Sequence, residues 1–418
     1  MQFRTFRKNA FFMFASQAFV AATTLLFVPL LARYLGIANY GRYAYVYAFV
    51  GLFETLSVFG LHPIFLREVA RKPDRASIYL GNILWLKTPL SLGVFALVYL
   101  VSNIFVSPDL RLFIMICASE VLLRKFFMIN ISLCRAFERM EYEFVVTVLE
   151  RMVAVTGVLL AIKFDWGLRG VFLAFFFAAV AHCLFGTLLI WGRLVQPKFV
   201  QVQGLKRSLL RDSWPLGLSR EAEVLYNRTG TVLLGQWHAP DVVGGYSGGY
   251  RMYQIASLMV ADSISRSAFP ALSRLSHDRW QFARSLYRVV CLNAVVGVVL
   301  TASVWALAPT AVHLLLGTEF EPSVSILRWI SMAIPFTFVN RLLGVALQST
   351  DHQHIDGFLT IGTFLVNLAL NWSLIPSLGA TGAVLALVIA EVLSFGTKGF
   401  ALVTRGLPKA KPEVHSRL

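Results

Sequence analysis

Four charges stand in the stretch WPLGLSREAEVLYNRTGTVLLG, Trp214 to Gly235: Arg220, Glu221, Glu223 and Arg228. An arginine stays charged and offers a planar fork of donors, which suits phosphate and carboxylate groups. The stretch is also long enough to cross a bilayer as a helix. A charge at the centre of such a helix costs about 2.5–3.5 kcal/mol, and each Leu, Ile, Phe or Val returns only about 0.3–0.6 kcal/mol. Lipid therefore cannot surround this segment. On a helical wheel, Arg220, Val224, Asn227, Arg228, Thr231 and the two glutamates share one half, and Leu218, Ala222, Leu225, Thr229 and Leu233 take the other. One side is polar and is expected to line a cavity.

Other apolar segments repeat the pattern. The eighth carries Arg251, Gln254, Leu258, Asp262, Ser265, Arg266 and Phe269 on one face, and the second carries Tyr43, Tyr47, Val50, Glu54, Ser57 and Leu61. The eleventh aligns Asp356, Thr360, Thr363, Asn367 and Asn371. Turned toward a shared, water-filled cavity, these faces bring Arg220, Arg228, Arg251 and Arg266 against Glu221, Glu223 and Asp262. The balance is slightly basic, which favours an anionic head group and disfavours lipophilic cations. The expected ligand-binding set is Arg228, Arg220, Arg251, Arg266, Asn227, Tyr47 and Asn367. Glu54, Glu223 and Asp262 are candidates for ion coupling by position, and an uncoupled mechanism fits equally well.

Several of these residues have a plainer reading. Arg220 with Glu223, and Glu120 with Arg124, have the i,i+3 and i,i+4 spacing of helix-stapling ion pairs. Lys87, Glu120, Arg124 and Lys125 are further cavity candidates, whereas Lys125, Glu150, Arg151 and Arg341 also suit snorkelling or pairing near an interface. Asn367 and Asn371 suit hydrogen bonding between helices better than ligand contact. His182, alone on an apolar segment, reads as a packing residue.

The elements that must carry these residues follow from composition. Of 418 residues, 57% are hydrophobic and 14% charged, with a mean hydropathy of +0.67. Soluble domains are about 25% charged, so the chain reads as an all-α polytopic membrane protein. Twelve spans are expected, near 10–33, 43–65, 79–102, 111–134, 143–163, 170–192, 214–236, 243–269, 285–307, 324–347, 354–375 and 380–403. The first is too long for a signal-peptide core and is not followed by a small-residue cleavage site. With the N-terminus cytoplasmic, inner connections hold 21 Lys and Arg against 5 outside, which places both termini in the cytoplasm by the positive-inside rule. The net charge of +16 is thereby accounted for by topology, without nucleic acid.

The longest inner connection, Gly192 to Ser213, separates six spans from six, and the halves echo each other. GxYxxxY occurs at Gly41–Tyr47 and Gly244–Tyr250. PxxxR occurs at Pro63–Arg67 and Pro270–Arg274. GxxGxxLA occurs at Gly167–Ala174 and Gly379–Ala386. Two duplicated six-helix lobes are expected, 1–200 and 201–418, related by a pseudo-twofold axis along the membrane normal, with the substrate cleft between them.

Enzyme chemistry finds little support. No Gly-rich phosphate loop, HExxH or nucleophile elbow is present, and the outer loops are short. Cys117, Cys134, Cys183 and Cys291 lie in apolar runs without a CxxC, so neither a disulfide framework nor a zinc site is expected, and no cofactor is implied.

The runs PLLARYLGIANYGRYAYVYAF, VLYNRTGTVLLG with VVGGYSGGYRMY and FPALSRL, and NLALNWSLIPSLGATGAVLALVIAE resemble the polysaccharide transport, or O-antigen flippase, family. That family is grouped with multidrug and toxin extrusion transporters and lipid II flippases, and the resemblance covers nearly the whole chain. It implies a two-lobed, V-shaped fold of twelve helices in the bacterial cytoplasmic (inner) membrane. It also implies alternating-access movement of an undecaprenyl-diphosphate-linked oligosaccharide to the outer leaflet for surface polysaccharide assembly, with a polysaccharide polymerase and glycosyltransferases as partners. Family members often have Arg followed two places later by Asp in the seventh helix. Here Arg228 is followed by Gly230, which leaves Arg228 open to a ligand or to Glu221 or Glu223. The alternatives are a small-molecule antiporter of the same superfamily and a membrane polysaccharide polymerase.

Overall fold

The computed structural model describes residues 2–200, 202, 204–275 and 278–406; within these, side chains are described except at 2–6, 212, 215, 216, 219, 258–260, 262, 263, 266, 267, 405 and 406. Among them there are helices and no strands. In hydrocarbon a helix satisfies its own backbone donors and acceptors, which is why apolar runs of this length adopt it.

The expected spans fall on helices, two of them interrupted. The first and the start of the second lie in α1 (Gln2–Glu54), whose helical path is broken at Gly36 (φ 68°, ψ 172°), a left-handed φ that favours glycine. A 3-10 turn (Thr55–Ser57) and α2 (Leu61–Arg71) continue it. There follow α3 (Ala76–Phe105), α4 (Pro108–Ala136), α5 (Met140–Lys163), α6 (Gly167–Arg193), α7 (Leu205–Trp237), α8 (Pro240–Leu275) and α9 (Arg279–Leu315). The tenth span is broken into α10 (Glu321–Ser331) and α11 (Ile334–Ser349), bent by 48°. The last two are α12 (Gln353–Leu378) and α13 (Ala380–Ala401).

Among the described residues, seven helical stretches are long and apolar enough to cross a membrane, and the bent pair makes an eighth. The three long helices outside that group are α4, α7 and α8. These are the helices whose interiors carry the charges discussed above.

The chain divides into two compact units, Met1–Arg228 and Thr229–Leu418. The division falls within α7. In the first unit, α5 and α6 form a hairpin against which α1 and α4 pack, and a core of Leu61, Phe65, Tyr79, Ile83, Phe127 and Leu209 joins α2, α3, α4 and the head of α7. The turn at Phe59 and Gly60 seats that head: a Cβ on Gly60 would stand 2.3 Å from the Ser213 carbonyl oxygen, and one on Gly217 would stand 3.1 Å from the Phe59 backbone. In the second unit, α8 packs on α10 and α11, α9 packs on both, and α12 pairs with α13; Leu272, Phe282, Leu286, Leu342 and Leu347 fill its core.

The repeated motifs adopt matching local structures. Tyr43 and Tyr47 have ring centroids 4.8 Å apart, and Tyr246 and Tyr250 stack at 5.6 Å. Gly167 (φ 58°) and Gly379 (φ 57°) both turn the chain in the left-handed region. The second glycine of each GxxGxxLA then packs tightly: a Cβ on Gly170 would meet the Ala161 Cβ at 2.8 Å, and one on Gly382 would meet the Leu374 carbonyl oxygen at 2.5 Å. Both motifs close a two-helix hairpin, which explains why both places require glycine twice.

Candidate functional site

The charges of the first unit are built on α1, α4, α5, α6 and α7. Glu120 and Arg124, one turn apart on α4, form the stapling pair that their spacing suggests, at 2.6 Å. Arg124 goes further, because its other Nη lies 2.9 Å from Glu150 of α5. Glu150 in turn meets His182 Nδ1 of α6, and the Phe127 ring stands edge-on to that imidazole at 4.2 Å. The carboxylates are deeply buried, with side-chain exposures of 3% and 7%. His182 is thus not merely a packing residue, and Glu150 does not snorkel. The two join a charge network across three helices.

A second pair lies beside it. Lys125 Nζ is 3.5 Å from Glu54 at the end of α1, and Glu221 of α7 accepts from the Thr55 side chain within electrostatic reach of Glu54 and Lys125. Lys87 does not reach a carboxylate. It is fully buried and donates to the backbone oxygens of Lys125 and Phe126, with His62 Nε2 at 2.9 Å, so its ammonium is satisfied by main chain.

Arg228 stands apart from these pairs. It is half-buried on α7, and its Nε would lie 3.0 Å from a Cβ on Gly51 of α1, so glycine there admits the guanidinium. The buried Cys117 thiol is within electrostatic reach of Glu120, Arg228, Glu54 and Arg124. Yet among the described residues Arg228 forms no ion pair. Pairing with Glu221 or Glu223, the sequence alternative, is not what the fold does. Glu223 is instead held by Arg220 at 2.9 Å, in an exposed i,i+3 pair. Asn227 Nδ2 donates back to the Glu223 carbonyl oxygen at 2.7 Å.

Tyr47 extends this site with an aromatic wall. Its ring stacks on Phe172 at 5.7 Å, which stacks on Phe113 at 5.4 Å, and Tyr47 lies beside the Glu120 carboxylate. Arg228, Tyr47 and Glu54 are therefore brought into one neighbourhood of the first unit.

In the second unit, Arg251 is half-buried on α8, while the side chains of Asp262 and Arg266 lie outside the described residues. Asn367 and Asn371 are both 2% exposed. Their bond is within one helix and not between helices: Asn371 Nδ2 donates to the Asn367 carbonyl oxygen at 2.8 Å and to its Oδ1 at 2.9 Å. A Cβ on Gly230 would lie 3.2 Å from the Tyr246 hydroxyl and 3.4 Å from Asn371 Oδ1. The position two residues after Arg228 is therefore tight, and a side chain there needs the Tyr246 hydroxyl to give way. Asp356 of the polar stripe is engaged by Lys398 at 2.8 Å and by Gln348 at 3.0 Å.

Residues 6–276 match the family described as polysaccharide biosynthesis protein. The chain belongs to this family. A second family, MatE, matches residues 215–373. A probable low-salt glycan biosynthesis flippase of Haloferax volcanii is 20% identical over 388 residues, covering 92% of this chain and 79% of its own. A Shigella dysenteriae protein named as a candidate O-antigen transporter is 21% identical over 401 residues, covering 93% of this chain and 97% of its own. The solved structure of the lipid II flippase MurJ in an inward closed conformation shares the fold, with a TM-score of 0.75 at 14% identity over 94% of this chain and 88% of that one. The chain is accordingly an all-helical, multi-pass membrane transporter of this family and not an enzyme.

Proposed function

We propose that this transporter is a flippase that moves an undecaprenyl-diphosphate-linked oligosaccharide from the cytoplasmic to the outer leaflet by alternating access. The observation that carries this reading is Arg228, a half-buried arginine in a membrane helix that forms no ion pair among the described residues. A diphosphate and its sugars cannot cross hydrocarbon unaided, because burying unpaired charge and unbonded hydroxyls is prohibitive. An arginine fork supplies the missing charge and donors. Arg220 and Asn227 add donors, and Tyr47 supplies a contact for the sugars. The lipid tail trails into the bilayer. The relatives named for glycan flipping and O-antigen transport support the cargo class, and the basic excess of the inner loops supports cytoplasmic termini in a bacterial inner membrane.

The MatE match keeps a small-molecule antiporter in view, and one experiment separates the two. In a strain lacking the gene, lipid-linked repeat units accumulate at the inner face of the membrane. Restoring Arg228→Ala does not relieve the accumulation although the protein inserts normally, and Arg228→Lys relieves part of it, since the charge remains without the fork. Normal export of surface glycan in the deletion strain rules out the flippase. Wild-type transport by Arg228→Ala would make that residue structural.

A further inference from the structure

Between α6 and α7 the chain does not simply loop through water. Lys198 N donates to the Ser77 carbonyl oxygen of α3 at 2.9 Å, and the Val200 carbonyl oxygen accepts from Asn82 Nδ2 at 2.8 Å. Asn82 is 3% exposed, so its amide is spent on this bond and on the Ile78 carbonyl oxygen. Gly81 completes the seat, because a Cβ there would stand 2.1 Å from the Lys198 carbonyl oxygen. An extended segment is thus built onto the flank of a membrane helix. At about 1.5 Å per residue, Asn82 lies about 9 Å along α3 from its start at Ala76; with that start at the head groups, Asn82 stands at the boundary between head groups and acyl chains.

The side chains on this segment fit that depth. Phe199 is 66% and Val200 54% exposed, beside Trp85 of α3 at 53%. Lys206 Nζ stands 3.3 Å above the Trp85 ring. From Arg193 to Arg211 the chain carries five bases, Arg193, Lys198, Lys206, Arg207 and Arg211, and no acid. Apolar side chains alternating with bases, held at interface depth on the side where basic residues concentrate, are complementary to a negatively charged lipid surface. Neither a soluble protein nor a nucleic acid would be met by exposed Phe and Val at that depth.

We infer that the strap formed by Lys198, Phe199 and Val200, together with Lys206, binds anionic phospholipids of the inner leaflet, the lysines meeting lipid phosphate and Phe199 and Val200 lying among the acyl chains. This stands apart from the cargo reading and does not depend on it. Its consequence is that the connection between the two sequence halves is anchored to the bilayer as well as to α3.

The test replaces Phe199 with p-benzoylphenylalanine in the full-length protein. The purified protein is reconstituted in vesicles of phosphatidylcholine with a minority of phosphatidylglycerol, and lipid adducts are quantified by mass spectrometry after illumination. The expected adducts are enriched in phosphatidylglycerol over its mole fraction, and Lys198→Gln with Lys206→Gln lowers that enrichment on the order of tenfold. The same photolabel at Leu100, a lipid-exposed position further along α3, shows no enrichment. Soluble glycerol phosphate does not compete, which separates a lipid from a free phosphate. Adducts in the bulk lipid ratio at position 199, or adducts only to protein, overturn the proposal. Gly81→Ala, which displaces the strap without touching a charge, is expected to abolish the enrichment as well, and its retention would equally count against the site.

Discussion

His182 Nδ1 meets a carboxylate oxygen of Glu150 from a position 32 residues away in the chain, and the other oxygen of Glu150 is 2.9 Å from Arg124. One carboxylate thereby ties α4, α5 and α6 together inside the first unit. Removing one member of a buried charged group leaves the others uncompensated and costs about 3–5 kcal/mol. Glu150→Gln is expected to lie toward the lower end, about 3 kcal/mol, because Arg124 keeps Glu120 as a partner. Thermal unfolding in detergent measures it. Because both changes break the same contact, Glu150→Gln and His182→Ala should combine less than additively, and full additivity would mean that the two residues do not act together.

Arg220 and Arg228 sit two turns apart, and neither is expected to hold the fold together. Arg220→Ala breaks an exposed pair, so stability should change by no more than about 0.5 kcal/mol. Arg228→Ala breaks no ion pair and should also leave the unfolding temperature nearly unchanged, yet abolish transport. A large loss of stability in Arg228→Ala would mark it as structural.

Gly230 tests the crowding beside Arg228. In an exposed helix Gly→Ala gains about 1 kcal/mol from backbone entropy, but the added methyl here approaches the Tyr246 hydroxyl at 3.2 Å. Tyr246 is 4% exposed and stacked on Tyr250, so it has little freedom to yield. Gly230→Ala should therefore be destabilising by about 1–2 kcal/mol, Gly230→Asp more so, and Tyr246→Phe should relieve part of the alanine penalty. Unfolding curves of the single and double variants decide this.

Lys398 and Asp356 link α13 to α12 at 2.8 Å, with side-chain exposures of 12% and 14%. Lys398→Met alone should cost about 3 kcal/mol. Pairing it with Asp356→Asn removes the stranded charge and should recover part of the loss. If the double variant is worse than the sum of the singles, the ion pair is not the interaction at stake.

Local periodicity made the twelve helices legible, because apolar runs about as long as the bilayer is thick have no other way to satisfy their backbone. The recurrence of Gly167 and Gly379 at matching places was legible too, and the structure gives both a positive φ. Ion pairs one turn apart, Glu120 with Arg124 and Arg220 with Glu223, followed from spacing alone. Hydropathy placed a connection between 33 and 43, where the helical path breaks at Gly36, but it did not reveal the break between α10 and α11, because a two-residue interruption hardly changes an average over twenty residues.

Partners on different helices were beyond reach of any spacing rule. His182 read as inert because its own helix is apolar, and only the packing of α5 against α6 sets Glu150 opposite it. Lys87 looked like a cavity charge until main-chain oxygens from α4 surrounded it. Residue types and their periods determined an all-helical membrane protein with charges it could not leave in lipid. Tertiary structure decided which of those charges cancel and which, like Arg228, have no ion pair among the described residues, because cancellation depends on a few ångströms between helices that sequence separation does not encode.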